Sequence, residues 1–149
     1  LNATVQRLAA IDNIIGVKDA TGDIPRGIEL IQSLDPAKMA VFSGDDATAW
    51  QLILAGGRGN ISVTANVAPY AMSQMCEAAL AGNEAETQRF NTQVAQLHEI
   101  LFCESNPIPV KWALHEMDKI GTGIRLPLTP LAEQFRTPLR EALQATGVL

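Results

Sequence analysis

The chain has 149 residues, 47% of them hydrophobic and 18% charged, which is enough apolar material for one packed domain and too little length for two large ones. A formal net charge of -5 offers no basic footprint for nucleic acid or an anionic membrane, and no apolar run has the length of a membrane span. Cys76 and Cys103 make neither a disulfide framework nor a metal site; with no charged-then-apolar leader at the start, a reduced cytoplasmic protein is expected.

In chain order, Asn2 is placed to cap a short helix whose apolar stripe is Val5, Leu8 and Ala9. Asn13–Lys18 follows, with Ile14-Ile15-Gly16-Val17 too short for a stable helix and rich in β-branched residues, so it reads as a buried parallel strand. A loop through Gly22 leads to a helix with Pro25 in its first turn and Ile24, Ile28, Ile31 and Leu34 on its buried face. Met39–Ser43 is a second strand, running through Gly44-Asp45-Asp46 into a helix that carries Trp50, Ile53 and Leu54 and stops at Gly56-Gly57. Asn60–Thr64 reads as a third strand, followed by a helix opened by Pro69, with Met72, Met75, Cys76, Ala79 and Leu80 inward and Gly82 closing it. The order α-βα-βα-βα marks a parallel sheet with right-handed crossovers.

Beyond Gly82 the period becomes that of a helical bundle. Asn83 caps a long helix with Phe90, Val94, Leu97 and Leu101 on one side. Asn106-Pro107-Ile108-Pro109 breaks it, a helix over Val110–Met117 follows, and Thr129 with Pro130 opens the last one. The chain therefore divides into an α/β part, residues 1–82, and a helical part, residues 83–149.

Lys18 stands at the C-terminal end of its strand, where parallel α/β folds place their reacting groups. Burial there favours the neutral amine, which attacks carbonyl carbons to form Schiff bases. The competing reading is a lysine leaving the core, its stem packed and its head in water. Gly44 and Ile61 to Thr64 end the other two strands, and in a parallel barrel such ends converge on one face. Gly44 lets a substrate approach the backbone N–H, or is a plain turn glycine. Asp45 and Asp46 pair for acid–base work or, as adjacent carboxylates before a helix more often do, cap it. His98 and His115 lack a second histidine four residues on, so no zincin motif exists and both read as packing or surface residues. Gly57-Arg58-Gly59 lacks the third glycine of a dinucleotide fingerprint, and Met72 with Met75 belongs to the core.

Four separated segments, Gly16–Asp23 (GVKDATGD), Ser43–Asp46 (SGDD), Asn60–Val67 (NISVTANV) and Asn106–Trp112 (NPIPVKW), followed by Arg125–Pro130 (RLPLTP), resemble the dihydrodipicolinate synthase family. They run in register over nearly the whole chain. The Ala20–Asp23 and Asn106–Trp112 segments favour the synthases over the related N-acetylneuraminate lyases. The resemblance implies the C-terminal part of a (β/α)8 TIM barrel, three parallel strands with their helices, followed by a C-terminal helical domain. It also implies a class I lyase of lysine and diaminopimelate biosynthesis that needs no metal or other cofactor. In such an enzyme Lys18 forms an imine with pyruvate, and the derived enamine adds to L-aspartate 4-semialdehyde to give 4-hydroxy-tetrahydrodipicolinate. Gly44 and Ile61 line the pyruvate pocket, largely through backbone groups, with Asn106 nearby. A homotetramer is the expected assembly.

The departure from the family is as informative as the match. Only strands six to eight of the family barrel have counterparts here, while the proton-relay threonines and tyrosine and the semialdehyde-binding arginine belong to the earlier half. Leu1 is not a methionine, so the chain is expected to be a fragment or one half of a split enzyme, lacking its N-terminal partner half. Isolated, it is expected to be weak or inactive. Two other readings stay open: a sister pyruvate-dependent aldolase, and a non-catalytic half-barrel assembly fragment.

Overall fold

The computed structural model describes all 149 residues, Leu1–Leu149. The chain forms an α/β fold with seven helices and two parallel strands. It divides into two compact units, residues 1–62 with 74–88 and residues 63–73 with 89–149. Two of the three junctions between these units fall inside helices.

In the first unit, α1 (Asn2–Leu8), α2 (Ile24–Gln32) and α3 (Ala49–Leu54) accompany β1 (Gly16–Asp19) and β2 (Ala40–Ser43). The strands pair in parallel, with Gly16 opposite Ala40, Lys18 opposite Phe42 and Asp19 opposite Ser43. Side chains alternate across a strand. Val17 and Val41 therefore face one way and meet the core of Leu30, Leu34, Met39 and Leu52, while Lys18 and Phe42 face the other. Gly27 on α2 is buried, and a Cβ there would lie 2.5 Å from Leu52 Cδ1, so its lack of a side chain sets how closely α2 approaches α3.

Local chemistry explains where these elements begin. Asp23 caps α2 by accepting the Arg26 N–H at 3.1 Å, with Pro25 in the first turn as expected. Asn2 is not a cap. It is the first helical residue, and its side-chain amide donates to the Arg26 carbonyl at 3.3 Å and to Glu29 Oε2 at 3.2 Å, tying α1 to α2. Leu8 turns outward, whereas Val5 and Ala9 reach the core. On α2 the deepest residues are Gly27 and Leu30, with Ile24 and Ile31 at the margin.

The third strand is reduced to a single bridge, Ser43 with Asn60. Arg58 N–H donates to the Val41 carbonyl at 2.8 Å, Ser43 N–H to the Gly59 carbonyl at 2.9 Å and Ile61 N–H to the Ser43 carbonyl at 2.8 Å. β2 ends at Ser43, so nothing remains for the chain beyond Ile61 to pair with, and Thr64–Asn66 winds into a short 3-10 turn. The β-branched run Ile61–Thr64 is thus a strand in composition only.

Helix α4 (Pro69–Leu80) opens at its proline and α5 (Glu84–Ile100) opens on Asn83, whose side chain accepts the Glu86 N–H at 3.2 Å. Leu80 points out rather than in. In the second unit Phe90, Val94, Leu97 and Leu101 are all buried, as their spacing required. Helix α6 (Ile108–Glu116) packs on α7 (Glu133–Ala145). Helix α7 starts at Glu133 and not at Thr129: Ala132 is extended, and only the side chain of Leu131 is buried along that approach. No helix is long and apolar enough to cross a membrane.

Candidate active site

Lys18, Phe42, Gly44 and Ile61 share one face of the first unit's sheet. Lys18 and Phe42 are paired, Gly44 lies two residues beyond Phe42, and the Ser43–Asn60 bridge sets Ile61 beside Gly44. The Lys18 stem crosses directly over Gly44. A Cβ on that glycine would meet Lys18 Cγ at 2.9 Å and Ala20 Cβ at 2.8 Å, with Lys18 Cε nearer still. The glycine therefore vacates the volume through which the lysine passes.

Two expectations change. Lys18 is exposed, as is Ile61 at 50%, and no carboxylate lies within ion-pair range of the ammonium. Two strands and one bridge wall the lysine along its stem only, so the expected burial of its head is not found. The Gly44 N–H is also not open to a ligand, because it donates to the Asp19 carbonyl at 2.8 Å, and the Ile61 N–H is held by Ser43. A small molecule on this face meets side chains and carbonyl oxygens rather than these two donors.

The neighbouring carboxylates are structural. Asp45 Oδ2 accepts the Thr48 N–H at 3.2 Å and the Thr48 hydroxyl at 2.6 Å, holding the turn into α3. Asp46 is buried and accepts the Asn60 amide at 2.6 Å, which anchors the bridging segment. Ser43 Oγ donates to the Asp45 carbonyl at 3.0 Å and closes the same turn. Their visible roles are to hold the turn before α3 and the bridging segment, and neither is the N-cap, which is Thr48.

Phe42 was not singled out in the sequence, although alternation from Gly44 marks it as Lys18's neighbour. The clamp behind Lys18 was missed as well. Asp19 is buried, ion-paired with Arg26 Nη1 at 2.5 Å, and accepts both the N–H (3.1 Å) and the hydroxyl (2.8 Å) of Thr21. It fixes the loop that begins at Ala20, two residues after the lysine.

Asn106 belongs to the second unit, where it is exposed and its bond to Pro107 is cis. In that unit His98 is a packing residue, buried with Nδ1 2.9 Å from the Thr64 hydroxyl. His115 Nδ1 lies 3.2 Å from the Ile120 carbonyl, to which its N–H can donate.

Fold and strand-end residues together define an α/β protein whose parallel strands bring a lysine, a glycine and an isoleucine onto one face. Within that class, the profile of the Dihydrodipicolinate synthetase family matches residues 1–146, and the chain belongs to that family. It is 64% identical over 149 residues to a 4-hydroxy-tetrahydrodipicolinate synthase of Marinobacter nauticus, covering 100% of this chain and 51% of the relative. It is 56% identical over 146 residues to the synthase of Stutzerimonas stutzeri, covering 98% and 50% respectively. Among solved structures it is similar to a chloride-inhibited dihydrodipicolinate synthase of Acinetobacter baumannii complexed with pyruvate, at a TM-score of 0.97 and 64% identity over 99% of this chain and 50% of that one. The synthase of Aquifex aeolicus gives a TM-score of 0.94 at 32% identity, with 99% and 50% covered. The chain spans about half the length of the relatives it matches.

Proposed function

We propose that this chain is the C-terminal half of a 4-hydroxy-tetrahydrodipicolinate synthase, contributing strands six to eight of a (β/α)8 barrel and a C-terminal helical domain. Lys18 is its nucleophile. The amine attacks the ketone carbon of pyruvate and water leaves, giving an imine. Loss of a methyl proton yields an enamine, with the iminium as electron sink, and the enamine carbon adds to the aldehyde of L-aspartate 4-semialdehyde. Ring closure by the substrate amine displaces Lys18 and frees the product. No metal is required, and Gly44, Ile61 and Asn106 are assigned to substrate binding.

The observation that carries this reading is the Lys18 stem lying over Gly44 at the strand end, next to Ile61. Family membership and the names of the relatives support it. The rest of the barrel would supply what the exposed lysine lacks here: apolar cover, the proton relay and the semialdehyde-binding arginine. A tetramer in the cytoplasm is the assembly expected for the whole enzyme. The test is reduction with borohydride in the presence of pyruvate, followed by peptide mapping. A single reduced adduct on Lys18 is expected. Equal labelling of Lys18, Lys38, Lys111 and Lys119 would overturn the assignment.

A further inference from the structure

The second unit contains a cavity of about 340 Å³ between α6, the 121–124 loop and α7, and none of the strand-end residues lines it. That volume falls within the span of small-molecule sites, roughly 300–1,000 Å³. Its walls differ in kind. Ile108, Trp112 and Leu131 give it an apolar side, and Lys111, Arg136 and Arg140 give it a cationic one.

The three cations are not equivalent. Arg140 is committed: its Nε and Nη2 donate to Glu116 Oε2 at 2.8 and 2.5 Å, and its guanidinium lies 5.3 Å from the Trp112 ring centroid. Arg136 donates through Nε to the Leu131 carbonyl at 3.2 Å, which fixes the base of its guanidinium and leaves the two terminal nitrogens without a carboxylate. Lys111 forms no ion pair either. Three cations against the single carboxylate of Glu116 leave a surplus of two positive charges before any on His115 is counted, on a chain whose formal net charge is -5. Both cations are half-buried, and neither has a carboxylate of the chain within ion-pair range.

We propose that this cavity binds a small organic anion. Its flat or apolar body lies along Trp112 and Ile108, one carboxylate takes the fork of Arg136 and a second negative group meets Lys111. A planar guanidinium matches a carboxylate through two parallel N–H bonds, whereas an ammonium serves as a point charge. The mixed walls select for charge and apolar surface together, so an inorganic anion satisfies only half of the site.

Calorimetric titration of the chain with phthalate, inorganic phosphate and benzylamine tests this. Phthalate should bind saturably, phosphate more weakly and benzylamine not at all, since it carries an apolar ring with the opposite charge. Lys111→Gln and Arg136→Gln should each weaken phthalate about tenfold, as expected for one charge-assisted hydrogen bond, with Arg136→Lys recovering part of the loss. Thermal melts check that the variants are folded. The proposal is overturned if benzylamine binds the unmodified chain as well as phthalate does. It is equally overturned if phthalate binds no tighter than phosphate, or if the doubly substituted chain keeps its affinity.

Discussion

A methyl group on Gly44 would stand 2.8 Å from Ala20 Cβ and 2.9 Å from Lys18 Cγ, closer than carbon atoms approach without something moving. The lysine stem can yield, but Ala20 Cβ is fixed by its backbone, so the chain at Gly44 or Ala20 must shift as well. Gly44→Ala is therefore expected to cost about 1–3 kcal/mol, as overpacking does, and to depress the yield of the reduced pyruvate adduct on Lys18. Urea denaturation and intact-mass measurement report the two effects separately. Cys76 offers a second test at this scale. Burial pushes its thiol up, a hydrogen bond from the Asn60 backbone opposes the shift, and the Asp46 and Glu77 carboxylates add to it. A raised value means that the folded chain holds the thiol proton more tightly than the unfolded one. The associated stability is complete below the unfolded thiol range and is lost as pH rises through the folded one. Alkylation of Cys76 by iodoacetamide should therefore lag behind that of a free thiol at neutral pH, and stability should fall in alkaline buffer.

Helix α2 depends on its first turn. Asp23 accepts the Arg26 N–H, and Arg26 in turn reaches back to Asp19, so one turn joins the helix to the end of β1. Asp23→Ala should lower stability by about 1 kcal/mol, the usual cost of losing such a cap, measured as a shift of the urea midpoint. The start of this helix was legible in the sequence because its signal is local: a loop through Gly22, then Pro25, then apolar residues at helical spacing. So were α3, α4 and α5, each bounded by glycine, proline or asparagine. The third strand was not legible, because a β-branched run reports propensity while a ladder also needs a neighbour, and β2 stops at Ser43. The start of α7 was misplaced for a related reason, since Thr129 with Pro130 has the chemistry of a helix opening but Ala132 is extended. Lys18, Gly44 and Ile61 could be grouped because parallel strand ends converge whatever lies between them. The exposure of Lys18 was one of two readings the sequence left open, since it depends on how many strands surround the residue.

At the scale of the whole molecule, the chain spans about half the length of its relatives, and the lysine face of its sheet is open on the side away from the helices. On the proposed reading, the chemistry also draws on groups from an earlier half of the barrel. The chain alone should thus form the Lys18 adduct yet show no turnover of pyruvate with aspartate semialdehyde. Co-expression with a complementary N-terminal half should restore turnover, followed by absorbance of the cyclised product. Restored turnover that survives Lys18→Ala would place the chemistry elsewhere.

Strand β1 pairs with β2 along one flank only, so the amides of Gly16–Asp19 on the other flank have no ladder of their own. Any extended segment laid against that flank must choose an alignment, and because side chains alternate, acceptable alignments differ by steps of two residues. A slip of one would turn the newcomer's inward groups away from Lys18 while leaving every main-chain bond satisfied. Geometry at this bare selvage therefore governs whether a recombined barrel is merely assembled or also competent.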